Sequence, residues 1–245
     1  MVISDKYKYL FVEMYNTGST SISAELCEHY DGKQILKKHA RYHEFLKIAT
    51  EEQKKYFVFS GIRNPMDTIV TVYQKFAENH KGKYTNPDDW LENGGHVKQG
   101  RLKLFNDVQE NKLTFQQYFM KYYKLPYDKW DRLDHKKFDY IIKFENIQND
   151  FRTVLQKLNI EPVRDLPQLN KTSGKKSFIE YYTPEIRKRA IFVFGPFLEK
   201  WDYSFPPEWK VKKPTFVSKV LYNMLGAKRD RAWRKKQAGG IVRTN

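Results

Sequence analysis

The sequence has a single cysteine, far fewer acidic than basic residues, and no long apolar run. Cys27 is the only cysteine among 245 residues, so no disulfide can form within the chain, which fits a reducing compartment. No segment approaches the roughly 20 apolar residues needed to cross a bilayer, and a strand pattern begins almost at once, which leaves no room for a signal peptide. We therefore expect a cytoplasmic protein, either soluble or peripheral to a membrane.

The imbalance between basic and acidic residues gives the chain a large positive charge. Lysine and arginine number 45 against 29 aspartate and glutamate, which gives a net charge of +16. Such a surplus favours an anionic partner, which could be a nucleotide, a nucleic acid, an acidic glycan or a membrane surface. Aromatic residues make up 16% of the chain, too many for a disordered basic protein, so most of the sequence should fold.

A strand, a polar loop and a helix follow one another near the start of the chain. Residues 9–14 are apolar and β-prone, whereas Ile22 and Leu26 lie at helical spacing. The connecting loop is short and rich in hydroxyl groups, with the sequence Asn16, Thr17, Gly18, Ser19, Thr20 and Ser21. Backbone N–H groups and hydroxyls at a helix N-terminus can bind a phosphate. Alternatively, Ser19 or Thr20 simply caps the helix.

A second strand and helix carry a candidate arginine. Residues 56–62 are nearly all apolar, as in a buried parallel strand, and Arg63 follows directly. Pro65 suits the first turn of the next helix, on which Thr71 lies about two turns further on. An arginine and a hydroxyl together can clamp a phosphate. Alternatively, Arg63 pairs with Asp67.

Two histidines lie in the basic, partly helical segment 33–55. His39 and His43 are four residues apart and would share a helix face. No further cysteine, histidine or carboxylate follows at a recognisable ligand spacing, so we expect no metal site. A histidine near a phosphate loop is suited to act as a general base, because its pKa is close to working pH, although either one could be a surface histidine without a role.

These motifs together resemble a known family. The segments 17–21 and 63–73 are similar to the two signature elements of the sulfotransferase family, and residues 38–40, Lys-His-Ala, resemble an element common in the branch that includes carbohydrate sulfotransferases. Residues 138–155 and 181–203 resemble that branch's strand-and-helix passage and its closing helix. The resemblance therefore runs from about residue 7 to about residue 205.

The resemblance implies a fold and a reaction. The fold would be a three-layer, P-loop-like α/β domain over residues 1–208, around a mainly parallel sheet with strands at 7–14, 56–62 and 138–143. The reaction would transfer a sulfuryl group from 3′-phosphoadenosine 5′-phosphosulfate to a hydroxyl of a glycan or glycolipid, without a metal. The loop 16–21 would bind the 5′-phosphosulfate, and Arg63 and Thr71 would bind the 3′-phosphate. His39 would accept the acceptor's proton, with His43 as the second choice.

One position departs from the family pattern. The family usually has lysine immediately before Thr17, where it stabilises charge on the leaving nucleotide, but this chain has Asn16. An amide brings no charge, so the cation must come from elsewhere. Lys38 and the basic segment 170–176 are the candidates, and in that segment Lys175 and Lys176 are predicted to bind the nucleotide.

The remaining segments have weaker signals. Residues 77–95 resemble a long surface loop, and 114–123 an aromatic-rich helix that packs in a core. In the tail, residues 209–245, a set of apolar residues recurs at helical spacing before the basic cluster 228–236: Phe216, Val217, Val220, Leu221, Met224 and Leu225. This pattern is typical of a helix at an anionic membrane surface. Alternatively, the tail packs on the domain, or its basic end with Gly239 and Gly240 folds over the 3′-phosphate.

Two functions of other classes remain open. A P-loop kinase-like phosphotransferase would use a similar strand, loop and helix, but the loop here has no lysine and lacks the Gly-x-x-x-x-Gly-Lys-Ser/Thr pattern. A non-catalytic basic protein that binds nucleotides or nucleic acid would explain the net charge and the presence of Asn16. We consider nucleic acid the less favoured partner.

Overall fold

The computed structural model describes residues 1–127, 138–167, 176–211 and 213–238, with the backbone alone for 233–238. Within these ranges the strands are β1 (Val2–Ser4), β2 (Tyr9–Val12), β3 (Lys33–Gln34), β4 (Phe57–Ile62) and β5 (Tyr140–Lys143). The α-helices are α1 (Ser19–His29), α2 (Tyr42–Leu46), α3 (Pro65–Ala77), α4 (Gln99–Glu110), α5 (Phe115–Tyr122), α6 (Ile147–Lys157), α7 (Pro184–Lys200) and α8 (Phe216–Ala238). Of the helices in these ranges, none is both long and apolar enough to cross a membrane.

The five strands form one sheet in the order β3-β1-β2-β4-β5. β2, β4 and β5 pair in parallel, with Phe11 opposite Phe59 and Phe59 opposite Tyr140. β1 pairs antiparallel with both β2 and β3. Four strands therefore share one direction, which confirms the predicted mixed α/β class and mainly parallel sheet.

Apolar side chains cover both faces of this sheet. Residues alternate along β2, so that Tyr9 and Phe11 join one buried cluster while Leu10 and Val12 join another. The first cluster includes the apolar faces of α1 and α6, and the second includes residues 40–45 around α2. Covered faces on both sides fit the predicted three layers, whereas the P-loop-like description stays a prediction.

The described residues divide into two compact units. The first comprises 1–64, 138–167 and 226–238 and contains the sheet; the second comprises 65–127, 176–211 and 213–225. The second unit has an aromatic core, in which the Phe119 and Tyr182 rings lie 5.5 Å apart and the Tyr182 hydroxyl donates to the Met66 carbonyl at 3.0 Å. The prediction that 114–123 forms a core-packing aromatic helix is therefore confirmed. The division at residue 208 stays a prediction.

Segment 33–55 differs from the sequence prediction. It begins as β3, forms the short helix α2 and ends in a 3-10 turn at Gln53–Lys55. His39 lies before α2 with a positive φ of 60°, while His43 lies inside it. The two histidines do not share a helix face, so that expectation was wrong. The four-residue spacing misled because the chain turns at residues 36–39, where Leu36 also has a positive φ.

Candidate active site

The candidate site lies where the parallel strands end. β2, β4 and β5 run side by side, so their carboxyl ends meet at one edge of the sheet, where open α/β sheets bind ligands. The loop after β2 turns at two residues with positive φ, Asn16 at 61° and Gly18 at 74°. Gly18 is the N-cap of α1, and no side-chain hydrogen bond caps the helix. The alternative that Ser19 or Thr20 merely caps α1 is therefore wrong. The Ser21 N–H already donates to the Gly18 carbonyl at 3.0 Å, so the feature of the helix start that favours an anion is the positive end of its macrodipole.

The polar loop is packed tightly from two sides. A Cβ on Gly18 would lie 2.5 Å from Ile147 Cδ1, and one on Gly61 would lie 2.8 Å from Thr17 Oγ1. The Thr17 hydroxyl donates to the Met14 carbonyl at 3.0 Å, which closes the turn from within. Neighbours that leave no room for a methyl group therefore fix the loop's shape.

Arg63 projects from the end of β4 onto this loop. Its Nη1 donates to the Asn16 carbonyl at 3.2 Å, and its guanidinium lies 4.2 Å from the centre of the Phe144 ring. The next residue, Asn64, donates its backbone N–H to Glu145 Oε1 at 2.7 Å. The ends of β2, β4 and β5 are therefore tied together around one guanidinium.

Lys38 also reaches the polar loop. Its ammonium donates to Thr20 Oγ1, in the first turn of α1, at 3.0 Å. Lys38 is exposed on a surface segment, and only its side chain approaches the helix start. A positive charge therefore lies beside a loop whose own sequence has none, at the helix end where the macrodipole also favours an anion.

His39 adjoins the same loop. Its Nδ1 lies 3.2 Å from the Glu13 carbonyl, and its ring stacks on that of Tyr15 with centres 3.8 Å apart. A carbonyl oxygen only accepts, so Nδ1 carries the hydrogen and Nε2 is the nitrogen with a lone pair in the neutral ring. The Glu13 side chain is buried and accepts from the Ser23 hydroxyl at 2.8 Å.

The surroundings of His39 favour its neutral form. Burial lowers the pKa of the imidazole below its ordinary 6.5, and the charge of Lys38 lowers it further. The hydrogen bond to Glu13 and the Glu13 carboxylate act in the opposite direction without reversing the shift. Burial is therefore the larger cause of the lowered pKa of His39, and Lys38 a smaller one.

Three predicted site residues lie elsewhere or outside the described ranges. Thr71 is half-buried on α3, in the second unit. Lys175 lies outside the described residues. Lys176 lines a surface cavity of about 370 Å³ in the second unit, with neighbours that include Phe115, Glu180 and Tyr181. The cavity combines aromatic faces, an ammonium and a carboxylate.

One other cluster has the composition of a metal site. Oxygen or nitrogen atoms of Glu25, Glu28 and His29 lie within 4.8 Å of one another among the described residues. The Arg164 guanidinium, however, makes ion pairs of 3.0 Å with both carboxylates. This arrangement is a salt-bridge cluster that holds α1 to the segment after α6, and we assign no metal to it.

Sequence reasoning missed the residues that support the loop. Gly61, Phe144 and Ile147 touch the loop or Arg63, but none was given a role. Gly61 had a usable signal, because it is a glycine within an otherwise apolar strand, where such a residue often marks a close approach of another chain segment. Phe144 and Ile147 had no comparable signal, since their contacts depend on how β5 pairs with β4.

The fold and this edge define an α/β protein in which two cations and a histidine lie beside a loop at the start of a helix. Comparison with known proteins gives the family. The chain belongs to the sulfotransferase family, whose sequence model matches residues 1–194. No curated protein and no solved structure matches it. The chain is therefore a sulfuryl transferase by family, which implies a nucleotide sulfate donor and an acceptor.

Proposed function

We propose that the protein transfers a sulfuryl group from 3′-phosphoadenosine 5′-phosphosulfate to a hydroxyl of a glycan or glycolipid. The observation that carries the proposal is that Lys38 and Arg63 both reach the loop 16–21, Lys38 at the Thr20 hydroxyl and Arg63 at the Asn16 carbonyl, at the carboxyl end of the parallel strands. The Lys38 ammonium and the positive end of the α1 macrodipole suit a dianionic phosphosulfate, and the Arg63 guanidinium suits a neighbouring phosphate.

In this proposal each residue has a chemical role. The loop 16–21 binds the 5′-phosphosulfate, and Arg63 binds the 3′-phosphate with Thr71, whose part rests on the resemblance alone. Lys38 replaces the lysine that the family carries at position 16, so that its ammonium stabilises the charge that develops on the leaving oxygen.

The reaction is an in-line displacement at sulfur. The acceptor oxygen forms a bond to sulfur as the bond between sulfur and the bridging oxygen breaks, which releases adenosine 3′,5′-bisphosphate. His39 Nε2 takes the acceptor's proton, because Nδ1 is already committed to the Glu13 carbonyl. Positioning and charge stabilisation provide most of the acceleration, as in phosphoryl transfer.

The cavity of the second unit has the surface chemistry of a sugar-binding site. Its Phe115 and Tyr181 rings offer apolar faces, and Glu180 offers a carboxylate that can accept from hydroxyl groups. That carboxylate disfavours a polyanionic nucleotide, whereas Lys176 would suit an acidic group on the sugar. A glycolipid acceptor would also require peripheral contact with a membrane surface.

Nucleotide binding tests the proposal directly. Adenosine 3′,5′-bisphosphate should stabilise the protein by about 2.7 kcal/mol at a concentration near 100 times its dissociation constant. ATP, which has no 3′-phosphate, should stabilise it less, and Arg63→Ala should remove the difference. Equal shifts with both ligands would favour a kinase-like phosphotransferase, and no shift with either would remove the donor assignment.

The non-catalytic alternative gives a different result. A basic protein that binds nucleic acid should show affinity that falls steeply with salt and needs no nucleotide. Transfer of labelled sulfate from the donor to a mixed glycan or glycolipid extract distinguishes a sulfotransferase from a binding protein, because a binding protein would produce no sulfated product.

A further inference from the structure

Helix α8 presents apolar side chains to solvent. Four of them are exposed, with relative accessibilities of 81% for Phe216, 60% for Val217, 40% for Val220 and 63% for Met224. At 3.6 residues per turn these positions fall on one stripe about 100° wide. We call these four side chains the apolar stripe.

The orientation of α8 is fixed from its other side. Ser218 is fully buried and donates its hydroxyl to the Phe192 carbonyl, and Tyr222 is also buried. Lys219 makes a 2.8 Å ion pair with Glu199 on α7. Polar residues therefore hold the first part of the helix, residues 216–225, to the second unit while the apolar stripe faces outward, so the exposure is not caused by a loosely placed helix.

The structure thus separates the tail's apolar residues into two groups. Leu221 and Leu225 are half-buried and lie between the face of α8 that packs on the second unit and the apolar stripe. The four stripe residues are exposed to solvent. One side of the helix therefore packs on the second unit, and the opposite side exposes the apolar stripe, whose contact with a membrane stays a prediction.

Positive charge flanks the apolar stripe. Lys210 and Lys213 are exposed just before α8, and Lys228 and Arg231 are exposed further along the same helix. At helical spacing, Lys228 and Arg231 lie on the same side of α8 as Val220 and Met224, nearer the C-terminal end of the helix. The stripe would match acyl chains at a bilayer surface, and the flanking cations would match anionic headgroups.

We propose that the apolar stripe of α8 docks on an anionic lipid surface. A neutral protein partner would leave the flanking lysines and arginine without counter-charges, and in a symmetric dimer two such cationic rims would repel each other. The net charge of +16 favours the same surface. The inference goes beyond the transfer reaction, because docking needs neither the nucleotide nor the acceptor.

Co-flotation of the full chain with vesicles tests the proposal. Phosphatidylcholine vesicles that contain phosphatidylserine should carry the protein, and vesicles of phosphatidylcholine alone should carry much less. Phe216→Ser combined with Met224→Ser should weaken binding at least about tenfold, because two large apolar groups no longer leave water. Raising salt from about 0.1 M to about 1 M, where the Debye length falls to about 3 Å, should also weaken it.

Two controls make the result specific. Ile48 is 61% exposed and lies outside α8, so Ile48→Ser removes an equally exposed apolar side chain that is not part of the stripe and should leave vesicle binding unchanged. Asn223→Ser changes an exposed polar residue of α8 and should also be silent. Thermal unfolding of each variant confirms that it folds.

Three results would overturn the proposal. Binding that is equal for the stripe variant and the unchanged chain would remove the stripe from the interaction. Binding that is equal with and without phosphatidylserine would remove the anionic lipid. A dimer, seen by light scattering, that dissociates in the stripe variant would show that a second copy covers the stripe. None of these results depends on whether the protein transfers sulfate.

Discussion

At the scale of single residues, His39 is the group on which the proposed chemistry depends most. His39→Ala should transfer sulfate about 10²–10⁴ times more slowly, because the acceptor's proton loses its base. Binding of adenosine 3′,5′-bisphosphate should persist, since the loop and Arg63 are unchanged. His43→Ala, in the middle of α2, is the matched control and should be near the unchanged rate. Single-turnover rates and calorimetry measure the two effects separately.

The pH dependence of kcat/KM tests whether His39 acts as the base, because a residue with only a structural role would not produce the expected acidic limb. Because burial lowers the pKa of His39, the base stays neutral below the ordinary imidazole value, and the acidic limb of kcat/KM should fall with an apparent pKa below 6.5. A reversed ranking of the two histidine variants would assign the base to His43. Near-normal transfer by the double variant would leave the mechanism without a histidine base.

Lys38 is the residue that compensates for Asn16 in this proposal. Lys38→Gln should lower kcat about 10²–10³-fold, comparable to the loss of one oxyanion donor, and Lys38→Arg should restore part of it. Lys37→Gln is the control, because Lys37 points to Glu44 at 3.4 Å rather than to the loop. Equal rates for the Lys38→Gln and Lys37→Gln variants would mean that the cation comes from another residue.

At the scale of elements, the contact between β4 and the loop after β2 is the most easily tested support of the site. Gly61→Ala would place a methyl group 2.8 Å from Thr17 Oγ1, so either strand or loop must move. We expect a loss of stability of about 1–3 kcal/mol and weaker nucleotide binding, measured by chemical unfolding and calorimetry.

Gly100→Ala in α4 is the matched control, because a Cβ there meets nothing within 4 Å. It should be neutral or slightly stabilising, since alanine favours a helix over glycine. If Gly61→Ala binds the nucleotide like the unchanged chain, the packing against Thr17 does not set the shape of the loop.

The elements also show how far the sequence determines the fold. The strands predicted at 7–14, 56–62 and 138–143 correspond to β2, β4 and β5, which are four, one and two residues shorter. The first two followed from apolar runs, and the third from the family resemblance. β1 and β3 were not predicted, because they have only three and two residues. An alternation of apolar and polar residues over so short a length cannot be distinguished from the sequence of a turn. Loop residues were found by residue type, whereas the supporting Phe144 depends on strand pairing that one sequence does not reveal.

The cavity of the second unit provides a test of the acceptor. Tyr181→Ala should raise the acceptor KM about tenfold through the loss of a stacking face, with the donor KM unchanged. Tyr122→Ala is the control, because Tyr122 is a partly exposed aromatic residue of α5 that does not line the cavity. Initial rates with one substrate varied at a time measure both constants.

The variant Lys176→Gln tests whether Lys176 binds the acceptor or the nucleotide. The sequence assigns Lys176 to the nucleotide, but its place on the cavity leads us to expect a raised KM for an acidic acceptor. A raised donor KM alone would return Lys176 to the nucleotide. No change in the acceptor KM for either cavity variant would mean that the acceptor binds elsewhere.

At the scale of the whole molecule, acid stability depends on two sets of groups. Burial is the first cause of a lowered pKa for both His39 and His80, with neighbouring lysines acting in the same direction. Asp5 and Glu44 also have lowered pKa values, from ordinary values of 3.8 and 4.5, although burial alone would raise that of Glu44; hydrogen bonds and lysine charges outweigh it. As the pH falls, the histidines therefore lower the free energy of unfolding at a higher pH than the carboxyl groups do.

The direction of the histidine effect follows from proton binding. Below pH 6.5 the unfolded chain protonates these imidazoles while the folded protein holds them neutral, so acid favours unfolding. The free energy of unfolding should be fully retained above pH 6.5 and should fall as the pH drops below it, by at most about 1.4 kcal/mol per pH unit for each histidine. The carboxyl groups should add their own loss only at lower pH, below about 4.5.

Urea unfolding of the ligand-free protein at a series of pH values between about 7.5 and about 5 measures this slope. The combined change His39→Gln and His80→Gln removes both imidazoles and should flatten the slope in that range, while the steeper loss at lower pH remains. A slope that is unchanged in the double variant would show that other groups control the acid side. If His39→Gln alone halves the slope of the free energy of unfolding against pH, His39 accounts for half of the effect. The neutral state of His39, which the proposed catalysis requires, then lowers the stability of the folded protein in acid.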